Sequence, residues 1–279
     1  MSIRIVTDSA CDLPAEVAAE LGITVIPCYI NVDGQSYRDG VDITRRQFYE
    51  RLPDWKASPT TSAPGIDVFR TAYQRLADEG ASQIISLHLS QRLSNLANIA
   101  SLAADAFHSV PVQVVPGGFL TLAGGFVAIA AARAAQAGAS LNEILELIAN
   151  LSPRIYLFAG LSTLEFLRRS GRVSHLKARL GAWLDILPVV KLHLDIIDME
   201  TARTRTRVIE RVLRLVSELG PLEDLGVLHT NAPERAAALA ASAAQLFPAG
   251  KAVHTVDVTP LLGVHVGPNA VGLVAVKQA

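Results

Sequence analysis

Cysteine is scarce in this chain, whose 279 residues include only Cys11 and Cys28. Small extracellular proteins that cannot build a large core rely on several disulfides, and two cysteines cannot supply such a framework at this length. The opening residues MSIRIVTDSACD have an aspartate where the apolar part of a secretory signal would have to continue. We therefore expect a protein of the reducing cytoplasm.

An excess of charge of either sign is also missing. The chain has 25 basic and 26 acidic residues, which gives a formal net charge of −1. Proteins that bind nucleic acid usually have a strong basic excess, so we expect no nucleic-acid partner. With 50% hydrophobic and 18% charged residues, the chain can bury a large core.

The short motifs that hold metals, phosphates and dinucleotides are absent as well. The seven histidines are not spaced as metal ligands, and HExxH, the Walker-type phosphate loop and GxGxxG do not occur. The glycines of GGFLTLAGG, residues 117–125, lie in an apolar helical context that favours close packing. We therefore predict no metal, no cofactor and no self-sufficient catalytic site.

One apolar run raises the question of a membrane span. Residues 110–132, VPVQVVPGGFLTLAGGFVAIAAA, are long enough to cross a bilayer. Pro111, Pro116 and the pair Gly117 and Gly118 divide the run, which predicts a buried strand followed by a buried helix. We expect at most transient contact with a membrane surface.

Strand and helix patterns alternate along the whole chain. In the first half, IRIVTD, ITVIPCYINV, QIISLHL and VQVV are typical of strands, with helices predicted near 65–79, 92–107 and 119–137. Asp12 is expected to cap the first helix. In the second half, RIYLFAGL, ILPVVKLHLDII, LGVLHT, AVHTVDV and AVGLVAV are typical of strands, and Ser162 with Glu165 predicts a capping box.

This alternation predicts an α/β protein with two α/β lobes. We place the first lobe at residues 1–152, with a mostly parallel sheet that has helices on both faces. The second lobe, residues 153–279, is expected to have a mixed sheet. Ligands usually bind in the cleft between two such lobes.

Hydroxyl side chains stand at three strand-to-helix junctions, in VTDSACD, TTSAPG and SQRLSN. The carboxyl ends of parallel strands form the ligand crevice of α/β sheets, and helix N-termini attract anions. The three stretches together predict an anion site, although each alone also fits a simple helix cap.

His265 lies in GVHVGPNAVG, which we interpret as a last apolar strand followed by a turn. Residues that tolerate a positive φ directly after the histidine indicate one wall of a site. A hydrogen-bonded histidine that packs between the lobes is the alternative.

Two arginine runs offer positive charge. In RRSGRVS, residues 168–174, Arg172 follows a glycine and is expected to project from a turn. In ARTRTR, residues 202–207, Arg203 lies on one face with two further arginines if the segment is extended. Such runs are usually solvated, but this one could dock an acidic partner.

Several of these stretches together resemble the DegV family of bacterial fatty-acid-binding proteins, over essentially the whole chain. The resemblance is carried by IVTDSACDLP, TTSAPG, SLHLSQRLSNLANIA, STLEFLRRSGRVS, LPVVKL, RTRTR and GVHVGPNAVGL, in this order. It implies two α/β lobes that bury a long acyl chain and hold its carboxylate near the crevice. It also implies a partner in many bacteria, a separate ATP-dependent fatty-acid kinase that makes an acyl phosphate.

The resemblance also implies functional residues. The family's carboxylate-binding hydroxyls fall on Thr61, Ser62 and Ser94, and its Gly-rich histidine falls on His265; we add Asn95 as a further candidate for this site. The loop arginine falls on Arg172, and the arginine of the kinase encounter falls on Arg203. The chain departs from the family pattern where Asn95 replaces a glycine and Leu96 a threonine. It departs again at Pro116 and Gly117, where the family has an Asp-Ser pair, and both departures concern the head-group end of the site.

Three functions follow as hypotheses. The first is a non-catalytic carrier that binds a long-chain fatty acid and presents its carboxylate to a kinase. The second is binding or turnover of a small polar ligand, because the architecture is also similar to the substrate domain of dihydroxyacetone kinases. The third is a lipid sensor or store without a kinase. A pocket too short for an acyl chain would favour the second hypothesis.

Overall fold

A computed structural model describes residues 2–89, 91–170 and 186–279. Within these ranges, strands β1 to β13 cover Ile3–Asp8, Thr24–Ile26, Tyr29–Val32, Gln35–Arg38, Thr60–Ser62, Gln83–Leu89, Val112–Gly117, Ile155–Gly160, Leu187–His193, Ile196–Ala202, Leu222–His229, His254–Asp257 and Val271–Lys277. Helices α1 to α10 cover Ala15–Glu20, Arg45–Arg51, Ile66–Asp78, Leu96–Asp105, Leu122–Gln136, Leu141–Leu151, Glu165–Ser170, Arg205–Ser217, Pro233–Ser242 and Pro260–Val266.

The strands form three sheets. A parallel sheet in the first half has the order β2-β1-β6-β7. A mixed sheet in the second half has the order β10-β9-β8-β13-β11-β12, in which only β11 and β12 pair in parallel. A small antiparallel sheet has the order β4-β3-β5. These sheets confirm the predicted α/β architecture. The division after residue 152 stays a prediction, although every strand of the mixed sheet begins at or after Ile155.

The two larger sheets are stacked with helices in five layers. Helices α3 and α4 cover one face of the parallel sheet through a core that includes Phe69, Tyr73 and Leu96. Helices α5 and α6 fill the space between the two sheets. Helices α8 and α9 cover the outer face of the mixed sheet. The central layer therefore belongs to both halves of the chain and fixes one sheet relative to the other.

Helix α5 is apolar on all sides because it occupies this central layer. Its Gly124 and Gly125 lie so close to Cys11 that a Cβ on either residue would stand 2.9 Å from an atom of that cysteine. The apolar run 110–132 is thus strand β7 followed by buried helix α5, as predicted. Among the helices of the described residues, none combines the length and apolarity that a bilayer span requires.

Two segments predicted as single strands are each two strands. ITVIPCYINV is divided at Pro27 and Cys28, so that β2 joins the parallel sheet and β3 joins the small one. ILPVVKLHLDII forms most of the antiparallel hairpin β9-β10, whose turn contains Leu194 with φ of 52°. Apolar residues continue through both breaks, and the hydrophobic pattern therefore hides them.

Two predicted helix caps are also wrong. Asp12 does not cap α1, which follows Pro14 without a side-chain cap, because the Asp12 carboxylate is buried and accepts a hydrogen bond from Thr259 N at 2.7 Å. At α7 the cap hydroxyl belongs to Thr163, which accepts from Glu165 N at 3.1 Å. The Ser162 hydroxyl instead donates to the Asn269 carbonyl at 2.7 Å.

The assignment of His265 to a last strand is wrong as well. The histidine lies in the last turn of the short helix α10, and the strand that follows is β13. Thr259 caps α10 and Pro260 occupies its first turn, a common combination at a helix start. Helix α10 ends at Gly267, whose φ is 75°. A side chain at Gly267 would also collide with the ring of Phe166.

Candidate functional site

A cavity of about 350 Å³ lies between the two halves of the chain. From the first half it is lined by β5, the segment entering α4 and the segment entering α5, and from the second half by β8 to β11, α10 and the start of β13. Its apolar wall consists mainly of Leu89, Leu93, Leu96, Leu120, Leu157, Leu161, Leu167, Val190, Leu192, Ile197, Met199, Leu228, Val258, Leu261, Leu262, Val266 and Val271. Such a wall suits an apolar chain far better than a polar metabolite.

Most of the residues predicted for the site line this cavity. They are Thr61, Ser62, Ser94, Asn95 and His265. Although these residues are far apart in the sequence, the fold brings them together because β5, α4 and α10 meet at the boundary between the two halves.

The contact between Thr61 and His265 joins the two sides of the cavity. Thr61 Oγ1 lies 3.4 Å from His265 Nε2, and both side chains are partly buried. Strand β5 fixes Thr61 by pairing it with Ile30 in the small sheet. Helix α10 fixes His265. A hydroxyl and an imidazole at this distance can both donate to an anionic oxygen placed between them.

Ser94 and Asn95 bring the start of α4 to the cavity. Ser94 Oγ accepts weakly from Leu96 N at 3.4 Å, and Asn95 Oδ1 accepts from Asn98 Nδ2 at 2.7 Å. Helix α4 is ten residues long, so its first turn offers backbone N–H groups and a partial positive charge. Asn95 occupies its N-cap position with φ of −83°, which an asparagine adopts without strain. Replacement of a family glycine at this position is therefore compatible with the local backbone.

Ser62 lies at the edge of the cavity and is exposed. Its hydroxyl accepts from Asn31 Nδ2 at 3.0 Å across the small sheet. The hydroxyl can still donate its own proton, because that contact uses the oxygen as acceptor.

Thr121, His229 and Thr230 also line the cavity. These polar residues were not predicted from the sequence. His229 Nδ1 accepts from Ala232 N at 3.2 Å and lies 3.2 Å from Asp257 Oδ1. Thr230 Oγ1 accepts from Ala270 N at 2.8 Å. These contacts brace the loops around the cavity, and no local sequence pattern indicates them.

Thr121 has an unusual backbone, with φ of 53° and ψ of −146° at the start of α5. Its N–H donates to the Ala10 carbonyl at 2.8 Å, and its carbonyl accepts from Gly124 N at 3.0 Å. A β-branched residue in this region is strained. These contacts therefore hold a conformation that the residue would not adopt alone.

Arg203 lies in a different place from the other predicted site residues. It lines a second cleft of about 550 Å³ that also includes Arg168, Thr204, Arg205 and Glu165. Helix α7 separates the two spaces, since its Leu167 lines the first and its Arg168 lines the second. Arg203 therefore does not reach the apolar cavity, and Arg172 lies outside the described residues.

Glu165 is the acidic residue of this second cleft among the residues that the structure describes. It pairs with Arg168 at 3.1 Å and with Arg169 at 2.7 Å, and these hydrogen bonds lower its pKa. The cleft thus combines a neutralised carboxylate with the exposed side chains of Arg203 and Arg205, which suits an anionic or acidic partner.

A Ser-His-Asp arrangement occurs away from the apolar cavity, on the face of the parallel sheet that helix α3 covers. Ser86 Oγ lies 2.7 Å from His88 Nε2, and His88 Nδ1 lies 2.7 Å from Asp8 Oδ2. The Tyr73 hydroxyl also donates to Ser86 Oγ at 2.9 Å. Ser86 has 0% exposed surface, so a substrate cannot reach its hydroxyl. We interpret this chain of hydrogen bonds as structural.

The described residues contain no group of three or more histidine, cysteine, aspartate or glutamate side chains able to hold a metal ion. Cys11 and Cys28 are free and buried, and burial raises the pKa of both thiols. The cavity itself places polar donors beside a large apolar surface.

Comparison with known proteins agrees with this geometry. The chain matches the family model described as "Uncharacterised protein, DegV family" over residues 2–278. A DegV domain-containing protein of Streptomyces coelicolor is 34% identical over 276 residues, which cover 98% of this chain and 97% of that protein.

Solved structures of similar proteins share the fold over their full length. A fatty-acid-binding DegV family protein from Thermus thermophilus has a TM-score of 0.90 and 30% identity, with 100% of both chains covered. DegV from Bacillus subtilis, a fatty acid binding protein, has a TM-score of 0.87 and 26% identity, again with 100% of both chains covered.

Proposed function

This chain belongs to the DegV family, and we propose that it binds a long-chain fatty acid, buries the acyl tail in the apolar cavity and exposes the carboxylate to a partner. The observation that carries the proposal is the contact between Thr61 and His265 in the wall of an otherwise apolar cavity. Fatty-acid binding by the structural relatives from T. thermophilus and B. subtilis supports the same ligand class.

The tail supplies most of the binding energy in this proposal. Each buried methylene contributes about 0.8 kcal/mol, so a tail of ~15 methylenes offers on the order of 12 kcal/mol before the ordering costs are subtracted. A net affinity in the micromolar range or tighter requires only part of that amount.

The head group decides which lipids are accepted. A carboxylate that leaves water needs charge-assisted hydrogen bonds. We assign these donors to Thr61, Ser62, Ser94, Asn95 and His265, together with the first-turn N–H groups of α4. A fatty alcohol with the same tail has one acceptor oxygen and no charge. It should therefore gain much less from this set of donors.

A small polar ligand, as in the dihydroxyacetone-kinase hypothesis, fits the cavity less well. Leucine, valine, isoleucine and methionine side chains dominate the lining, and a three-carbon ketone would leave them without a partner. The size and apolarity of the cavity therefore favour the acyl chain.

The first test is the mass of the purified protein under native and then denaturing conditions, with the extracted acids identified. We expect a non-covalent excess equal to a long-chain fatty acid. The stripped protein is then titrated with palmitate and with hexadecanol. Palmitate should bind more tightly, and His265→Ala should reduce that preference while the exposed His108→Ala control leaves it unchanged. No retained lipid and no binding of added palmitate would refute the proposal.

We further propose that the bound carboxylate is the substrate of a separate fatty-acid kinase, and that Arg203 and Arg172 assist this encounter. In this proposal the chain is a cytoplasmic protein that presents the substrate, and the kinase supplies ATP and metal. Arg203 is exposed beside Arg205 in the second cleft, where it can dock an acidic surface or screen phosphoryl charge.

Arg203→Ala tests the role in the kinase encounter. The variant should bind palmitate like the wild type and slow acyl phosphate formation by a fatty-acid kinase. Arg214→Ala, an exposed arginine within α8, serves as the matched control and should leave the rate unchanged. A wild-type rate of acyl phosphate formation by Arg203→Ala, or loss of its palmitate binding, would refute this role.

A further inference from the structure

Helix α10, which carries His265, is anchored at its N-cap residue, Thr259, by two buried carboxylates from the first half of the chain. Thr259 N donates to Asp12 Oδ1 at 2.7 Å, and the Thr259 hydroxyl donates to Asp39 Oδ2. Exposure is 0% for Thr259, 1% for Asp12 and 5% for Asp39. The anchor is therefore shielded from water, where such hydrogen bonds are stronger than at a surface.

Arg45 ties the same residues together from a third side. Its Nη2 lies 3.1 Å from Asp12 Oδ1, and its Nη1 donates to the carbonyl of Asp257, the last residue of β12. The guanidinium thus contacts both the carboxylate that holds Thr259 and the backbone that leads into Thr259. The charge of Arg45 offsets part of the cost of burying the Asp12 carboxylate.

The remainder of α10 depends on this anchor. A helix of seven residues is too short to be stable alone, so tertiary contacts set its position. Gly263 lies directly against Tyr49, where a Cβ would collide with the phenol oxygen, and that phenol donates to the Val258 carbonyl only at 3.4 Å. A displacement of Thr259 would therefore move the whole helix, His265 included, relative to Thr61.

An acceptor at position 12 can be kept without the charge. An asparagine there would still offer Oδ1 to Thr259 N–H, whereas an alanine would leave that buried N–H without a partner. A buried donor without a partner lowers the stability of the fold. We expect the start of α10 to shift in response. Position 12 has φ of 49°, which glycine and asparagine adopt more readily than alanine. Asp12→Gly, measured beside Asp12→Ala and Asp12→Asn, therefore separates the hydrogen bond from the charge without the backbone strain of alanine.

We propose that Asp12 is a positioning residue for the ligand site, which sets the distance between His265 and Thr61 by holding Thr259 at the start of α10. Only one part of this proposal, the effect of Asp12 on ligand affinity, rests on the proposed fatty-acid-binding function. Its structural part, the placement of the imidazole, holds for the protein without ligand.

The test compares Asp12→Ala and Asp12→Asn with Asp8→Asn. Asp8 is a buried carboxylate at the end of β1, four residues before Asp12, but its side-chain contacts are Ala10 N at 3.0 Å and His88 at 2.7 Å. The first measurement is the NMR signal of the His265 imidazole in ligand-free protein, assigned with His265→Ala. The second is the ratio of palmitate to hexadecanol affinity.

Asp12→Ala should shift the His265 signal and lower the affinity ratio about tenfold, an effect of about 1.4 kcal/mol, because the charged acid gains more from the imidazole than the alcohol does. Asp12→Asn should restore both readouts to nearly the wild-type values. Asp8→Asn should leave both unchanged even if it lowers the melting temperature. If the changes in Asp12→Ala came from general destabilisation, Asp8→Asn would show them as well.

A folded Asp12→Ala protein with an unmoved His265 signal and an unchanged ratio would overturn the proposal. If wild-type protein binds no palmitate, the proposed function fails, and the His265 signal still decides whether Asp12 positions the helix. If Asp12→Ala does not fold, Asp12→Gly provides the comparison, because glycine has no acceptor and adopts the φ of 49° at this position without strain. The glycine variant should shift the signal, Asp12→Asn should not, and equal signals would again refute the proposal.

Discussion

Replacing Asp12 with asparagine should remove a penalty that grows with pH. Burial raises the pKa of Asp12 from 3.8 to about 7, and the charge of Arg45 only partly opposes this rise. Between these two pH values the folded protein holds a proton that the unfolded chain has released. The stability contributed by this residue is therefore fully present below about pH 4 and is lost as the pH rises to about 7.

The size of the effect follows from the same two values. The gap between 3.8 and about 7 corresponds to about 4 kcal/mol, because one pH unit is worth about 1.4 kcal/mol. Asparagine resembles the neutral acid in shape and has no proton to release. Asp39, the other carboxylate that faces this position, is present in both proteins, so its own titration largely cancels in the comparison.

The assay is urea unfolding of wild type and Asp12→Asn at about pH 4.5 and about pH 8. The stability of the variant relative to wild type should increase between these two conditions, by at most about 4 kcal/mol. Asp67→Asn is the control, since the Asp67 side chain is 93% exposed, and it should show no such increase. A constant difference between wild type and Asp12→Asn would show that Asp12 does not titrate in this range.

Three further outcomes are expected. Thr61→Val should weaken palmitate binding about tenfold in calorimetric titration, since one hydrogen bond to a charged group contributes about 1.5 kcal/mol or more; unchanged affinity would exclude Thr61 from the head-group site. Gly118→Ala should lower the free energy of unfolding by about 1–3 kcal/mol, because its Cβ would collide with the backbone of Leu194; wild-type stability in urea would contradict that contact. Cys11 and Cys28 should resist a thiol reagent in the folded protein and react after unfolding, since both are buried with raised pKa values; rapid labelling of the folded protein would contradict this burial.

The alternation of strands and helices was predictable because it rests on local periodicity. Helix α5 was predictable because proline and glycine divide the apolar run before it. Thr61, Ser94 and His265 line one cavity. Two arguments from the sequence had grouped them: hydroxyl side chains at strand-to-helix junctions, and the resemblance to the family.

Other features have no local signal or a misleading one. The β9-β10 turn is formed by Leu194 at φ 52°, without the glycine or asparagine that usually indicates a turn. The alternation in GVHV imitates a strand, whereas the pair Thr259 and Pro260 was an available sign of a helix start. The hydrogen bond between Thr259 and Asp12 joins residues 247 positions apart, and only the folded chain brings them together.

The position of β13 has a consequence for biosynthesis. Residues 271–277 form an interior strand of the mixed sheet, between β8 and β11. A ribosome that has made every earlier strand has produced two partial sheets, each with an unpaired edge beside apolar side chains. Such edges are prone to pair with other chains. The parallel sheet, by contrast, has all its strands once residue 117 is made. The edges of β8 and β11 are therefore the last edges of the mixed sheet to be paired, because the gap between them closes only when β13 is available.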